Sequence, residues 1–80
     1  MTKIGPDQVL AVTEAWTKVL VWQKKKSETL TEEEVVTLVE ANEDGMLDIM
    51  NDEVFPILNA MDDREKEAML HVMAGVAKSL

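Results

Sequence analysis

Residues 46–61, MLDIMNDEVFPILNAM, decide the fold class. With successive residues turned by about 100°, Met46, Leu47, Met50, Val54, Ile57, Leu58 and Met61 gather within an arc of about 120°. That is the spacing of an amphipathic helix and not the alternation of a strand. Pro56 interrupts the pattern chemically without interrupting its period. Having no amide hydrogen, it leaves one carbonyl of the preceding turn unpartnered, so the helix is expected to kink near Asp52 or to break in two near Pro56.

Upstream, Thr31 and Glu34 have the spacing of a capping box, with Leu30 placed to staple onto Val35. Glu32, Glu33 and Glu34 suit the positive end of a helix dipole. Val35, Val36, Leu38 and Val39 form the apolar side, and the stretch 42–45, NEDG, ends the helix with Gly45 as its left-handed residue. Earlier still, Pro6 suits the first helical position, and Lys24, Lys25 and Lys26 suit a helix C-terminus. Downstream, Asp62 and Glu65 form a second capping box. Met69, Leu70, Val72, Met73, Val76, Ala77 and Leu80 make the apolar face that follows it. The chain therefore reads as all-α, a single domain over residues 1–80 built as a bundle of four helices at about 6–26, 32–43, 46–61 and 63–79.

The first helix is too apolar for an ordinary surface helix. Val9, Ala11, Val12, Ala15, Trp16, Val19, Leu20 and Trp22 cover half of its wheel, while Leu10 and Val21 lie on the other side. A stripe only somewhat wider than about 100° suffices to face one core. Such a helix is either central to the bundle or shared with a second copy of the chain, and the second case assigns Leu10, Trp16, Val21 and Trp22 to a homodimer interface.

The chain has 80 residues, 46% of them hydrophobic, and no cysteine, which excludes disulfides, thiolate zinc sites and iron–sulfur clusters. A lone core of this length supplies only about 3–5 kcal/mol of net stability. The opening residues MTKIGP lack the apolar region of a signal peptide, and apolar runs reach only four residues (Val19 to Trp22), far short of a membrane span. A cytoplasmic location without membrane attachment is the expectation.

Charge is distributed by segment. Residues 1–26 carry +3 and residues 64–80 carry +1, whereas residues 27–63 hold twelve acids and no Lys, Arg or His, giving −12 and the overall −8. On the second helix Glu33 and Glu40 share an outer line, Glu43 and Asp44 crown the following loop, and on the third Asp48, Asp52, Phe55 and Asn59 continue outward at i, i+4, i+7 and i+11. Phe55 is the only phenylalanine, and it stands on the far side of its helix among carboxylates. An aromatic ringed by acids suits recognition of a basic surface. Direct binding of nucleic acid is disfavoured, because phosphate neutralisation needs Lys and Arg.

Residues 40–51, EANEDGMLDIMN, resemble an EF-hand loop, with oxygen ligands at positions 1, 3, 5 and 9, glycine at 6 and an aliphatic at 8. The match departs at both ends: Glu40 stands where Asp is usual and Asn51 where the bidentate Glu belongs. The resemblance would imply a calcium-responsive regulator, whereas periodicity places Met46 to Asn51 in a helix and makes 42–45 a helix end. No cofactor or metal is otherwise expected.

Catalytic chemistry has little to work with. His71 is the sole histidine and falls on the polar side of its helix near Arg64 and Glu67, and adjacent acids such as Asp62 and Asp63 diverge without apolar shielding. An enzyme is not expected. The methionines Met46, Met50, Met61, Met69 and Met73 read as core filler, and Gly75, with Ala68 and Ser79, leaves a narrow side open to close approach. The reading that follows is a small acidic interaction module, an inhibitor or adaptor that binds a basic, nucleic-acid-binding surface of another protein. In composition it is similar to small acidic proteins of phages and mobile elements. A self-assembling structural subunit is the alternative.

Overall fold

The computed structural model describes residues 4–80, and residues 1–3, where the leader reading begins and Lys3 is counted, lie outside the described residues. The elements are α1 (Pro6–Ser27), α2 (Glu32–Ala41), α3 (Met46–Ile49), a π turn (Met50–Val54), α4 (Phe55–Ala60) and α5 (Asp63–Ser79). α3, the π turn and α4 together form the third of four helices, and the all-α bundle is as expected.

Local chemistry sets the helix starts. Pro6 occupies the first turn of α1, and the Gln8 side chain accepts from the Gly5 amide at 3.0 Å. Both capping boxes form. The Thr31 hydroxyl accepts from the Glu34 amide at 3.3 Å while the Glu34 carboxylate accepts from the Thr31 amide at 3.1 Å. Asp62 and Glu65 exchange the same pair of bonds. Each such cap is worth about 1 kcal/mol. The Thr31 amide, then its hydroxyl, holds the Glu34 carboxyl below the usual carboxylate range. Because the folded value is the lower one, this stabilisation is complete above the ordinary carboxylate pKa and is lost as pH falls through the lowered value.

Helix α2 stops at Ala41, two residues earlier than expected. Asn42, not Gly45, is the left-handed C-cap (φ 54°), and Gly45 (φ 76°) instead precedes α3 as its N-cap. Asn42 can take this conformation because its short amide bonds locally. Its Oδ1 accepts from the Leu47 amide at 3.0 Å and the Asp48 amide at 3.4 Å, so one residue closes α2 and caps α3.

Pro56 bends the third helix without severing it. The Phe55 amide donates to the Met50 carbonyl, an i to i+5 bond, and the backbone then resumes as α4. The residue added in the π turn sets the helix back by about 100°. Val54 and Leu58, which the period of an unbroken helix already places on the arc of Met46 and Met50, stay on the inner side and are buried.

The main core joins Val12 and Ala15 of α1, Val54, Leu58 and Met61 of the third helix and its exit, and Met69 and Met73 of α5. α1 is the spine, packed against α2, α3, the π turn and α5. Its Trp16 indole donates to the Met73 carbonyl at 2.9 Å, and the Lys24 ammonium donates to the Leu80 carbonyl. Both partners advance together along the chain, so α5 runs parallel to α1.

Two sets of expected core positions fall outside. Leu70, Val72 and Ala77 of α5, Leu80 just beyond it, and Val36 of α2 are exposed, on sides of those helices that face away from the core. Gly75 is exposed as well. A Cβ placed on it would meet nothing within 4 Å, so none of the described helices approaches it.

Candidate functional site

All twelve acids of residues 27–63 are exposed. Glu33 and Glu40 stand on α2, Glu43 and Asp44 in the loop, Asp48 on α3 and Asp52 in the π turn, and α2 packs against α3. Among the described residues Lys26–Asp44, at 3.7 Å, is the only ion pair. The rest of the acidic segment has no cation among the described residues to answer it.

Asp44 has an internal role that the sequence reading did not give it. Its Oδ2 accepts from the Trp22 indole at 2.6 Å besides facing Lys26, so it fastens the α2–α3 loop to the end of α1. The segment 40–51 that resembles an EF-hand loop is divided among the end of α2, a short loop, α3 and the π turn, with Asn42 on helix amides and Asp44 on α1. Among the described residues no three His, Asp or Glu side chains come together to hold a metal ion.

Phe55 follows the π turn immediately and is 42% exposed. The expected straight line of Asp48, Asp52, Phe55 and Asn59 is bent at that turn. The setback of about 100° takes Phe55 and Asn59 off the line that Asp48 and Asp52 would set in an unbroken helix. Asn59 is exposed near it on α4.

Of the four residues assigned to a dimer interface, Leu10 and Val21 are exposed at 57% and 45%. Trp16 and Trp22 are half-buried, and both indole N–H groups are used within the chain. The two pairs therefore lie in different surroundings.

A feature absent from the sequence reading is a cleft of about 390 Å³ between α1 and α2, lined chiefly by Trp16, Val19 and Trp22 on one wall, Val35, Val36 and Val39 on the other, with Met50 of the π turn, Gln23 and Glu40. The signal for it was the excess width of the α1 apolar half. His71, exposed on α5, lines a separate depression with Glu67, Leu70 and Ala74. Among the described residues no polar or charged side chain is buried, and no helix is long and apolar enough to cross a membrane.

Comparison with known proteins returned no matching family, no matching curated protein and no matching solved structure.

Proposed function

We propose that this protein is a cytoplasmic, non-catalytic interaction module that binds a basic surface of another protein, with Phe55 as its apolar anchor. The observation that supports this most directly is the uncompensated acidic segment: twelve exposed carboxylates over residues 27–63 with one internal ion pair among the described residues. Concentrated like charge repels itself within the fold and is relieved when a cationic surface meets it. A partner that normally holds nucleic acid offers such a surface. Covering its groove would make the protein a stoichiometric inhibitor of the kind mobile elements encode, or an adaptor for that partner.

Phe55→Ala tests the anchor, because it removes the ring and leaves every charge in place. Capture of the partner from a lysate of the native host, followed by titration, is expected to show about 30-fold weaker binding, the scale of an interfacial aromatic hot spot. Unchanged affinity would remove Phe55 from the interface.

Self-assembly is the second reading, favoured by exposed Leu10 and Val21. Between them Thr13 and Thr17 turn their hydroxyls onto the carbonyls of Val9 and Thr13, at 2.9 and 2.7 Å. That side of α1 therefore presents methyl groups rather than free hydroxyls. If it joins two copies, light scattering should give twice the chain mass for the native protein and the monomer mass for Leu10→Asp/Val21→Asp.

A further inference from the structure

We infer that the cleft between α1 and α2 receives the apolar ridge of an amphipathic helix from the partner protein, one whose flanking residues are lysine or arginine. The inference rests on the acidic-face reading and gives the partner a form. Its first support is the packing of α2. Val35 is buried but stands apart from the main core, so α2 meets α1 over a thin contact and leaves Val36 half exposed at the mouth of the cleft. Two tryptophans and a methionine supply adaptable apolar surface there.

Polar chemistry excludes most other occupants. Trp16 donates to Met73 and Trp22 to Asp44, so neither indole N–H is left to orient a polar ligand. Among the described residues Gln23 and Glu40 are the only polar side chains on the walls apart from those indoles, whereas a small-molecule site needs several convergent polar groups. An apolar ridge needs none.

Charge gives the ridge its flanks. On α2, Glu40 lines the cleft and Glu32 precedes Val36 by one turn. Both acids of that bank are exposed. Lys26, at the far end, is already paired with Asp44. An incoming helix with leucines at i, i+3, i+4 and i+7 and lysines beside them would bury the first set and face Glu32 and Glu40 with the second. A second copy of this chain, carrying −8, meets that bank with like charge.

The test uses the whole protein and two synthetic leucine–lysine peptides of equal composition. One spaces its leucines on a helical stripe, and the other scatters them. Since both tryptophans of the chain line the cleft, their emission reports its occupation. The striped peptide is expected to bind at least about tenfold more tightly than the scattered one and to shift the emission to shorter wavelength. Val36→Asn, which changes no charge, should weaken it about tenfold. Val36→Trp, which fills the mouth, should also block it, and serves if the asparagine variant fails to fold. Equal binding of both peptides with unmoved emission would overturn the cleft proposal and leave the acidic-face reading standing. Binding of neither would overturn both. An emission shift that grows with protein concentration alone would assign the cleft to a second copy and overturn the proposal.

Discussion

Asp48→Lys/Asp52→Lys is expected to abolish partner capture, weakening binding by about 100-fold or more, while the protein still folds. Both side chains are exposed, and their reversal shifts the charge of the acidic segment by four units. Placing like charge against a basic surface costs several kcal/mol, and about 2.7 kcal/mol already corresponds to 100-fold. The fold bears the change for a different reason. Asp48 lies in the first turn of the third helix, where a cation costs only about 0.3–1 kcal/mol against the dipole. Relief of repulsion among the neighbouring acids offsets part of that. A titration calorimetry comparison, with circular dichroism as the folding control, separates the two effects. Capture undiminished in a folded variant would place the interface elsewhere.

Leu58→Ala is expected to unfold most of the protein at ambient temperature. Leu58 is buried between α1 and α5 through the π-turned helix, and truncating a buried leucine costs about 2–5 kcal/mol once the cavity is included. A core in a chain of this length supplies about 3–5 kcal/mol in all. The loss therefore equals the reserve. Urea denaturation followed by circular dichroism should show a variant largely unfolded before denaturant is added. A midpoint shift equivalent to under about 1 kcal/mol would mean that stability resides outside this core, in α2 or in an interface between copies. The shape is elongated, 44 × 25 × 19 Å, and Leu10, Val21, Val36, Leu70 and Val72 remain exposed outside that core.

What could be read in the sequence was what short spacings control. Thr31 with Glu34 and Asp62 with Glu65 fix two helix starts through bonds three residues long, and the 3.6-residue period across 46–61 excludes a strand before any packing is known. Pro56 pointed to a distortion near Asp52, and the π turn spans that residue. Its form was not legible, because the amide missing at Pro56 can be met by a kink, a break or an inserted residue, and local spacing does not choose among them. The end of α2 was misplaced for a smaller reason: Gly45 is the easier left-handed residue, but Asn42 takes the position by capping the next helix.

The candidate site divides along the same line. Exposure of the carboxylates followed from their wheel positions, and Phe55 is exposed although the π turn takes it off their line. The internal bonds of Asp44 could not be read, since its partners Trp22 and Lys26 lie on another helix, 22 residues away in the case of Trp22. Trp16 reaches 57 residues to Met73. The broad apolar half of α1 was visible and its meaning was not. One part covers the core and another walls the cleft, while Leu10 and Val21, on the opposite side, lie outside both.

The most direct test of the acidic face as the binding surface is the association rate of the captured partner at about 0.05 M and about 0.5 M salt, for the native protein and for Asp48→Lys/Asp52→Lys. Electrostatic steering predicts that the native rate falls by at least about tenfold across that range. The variant should start near the high-salt value and change little. A native rate indifferent to salt, matched by the variant, would contradict the account.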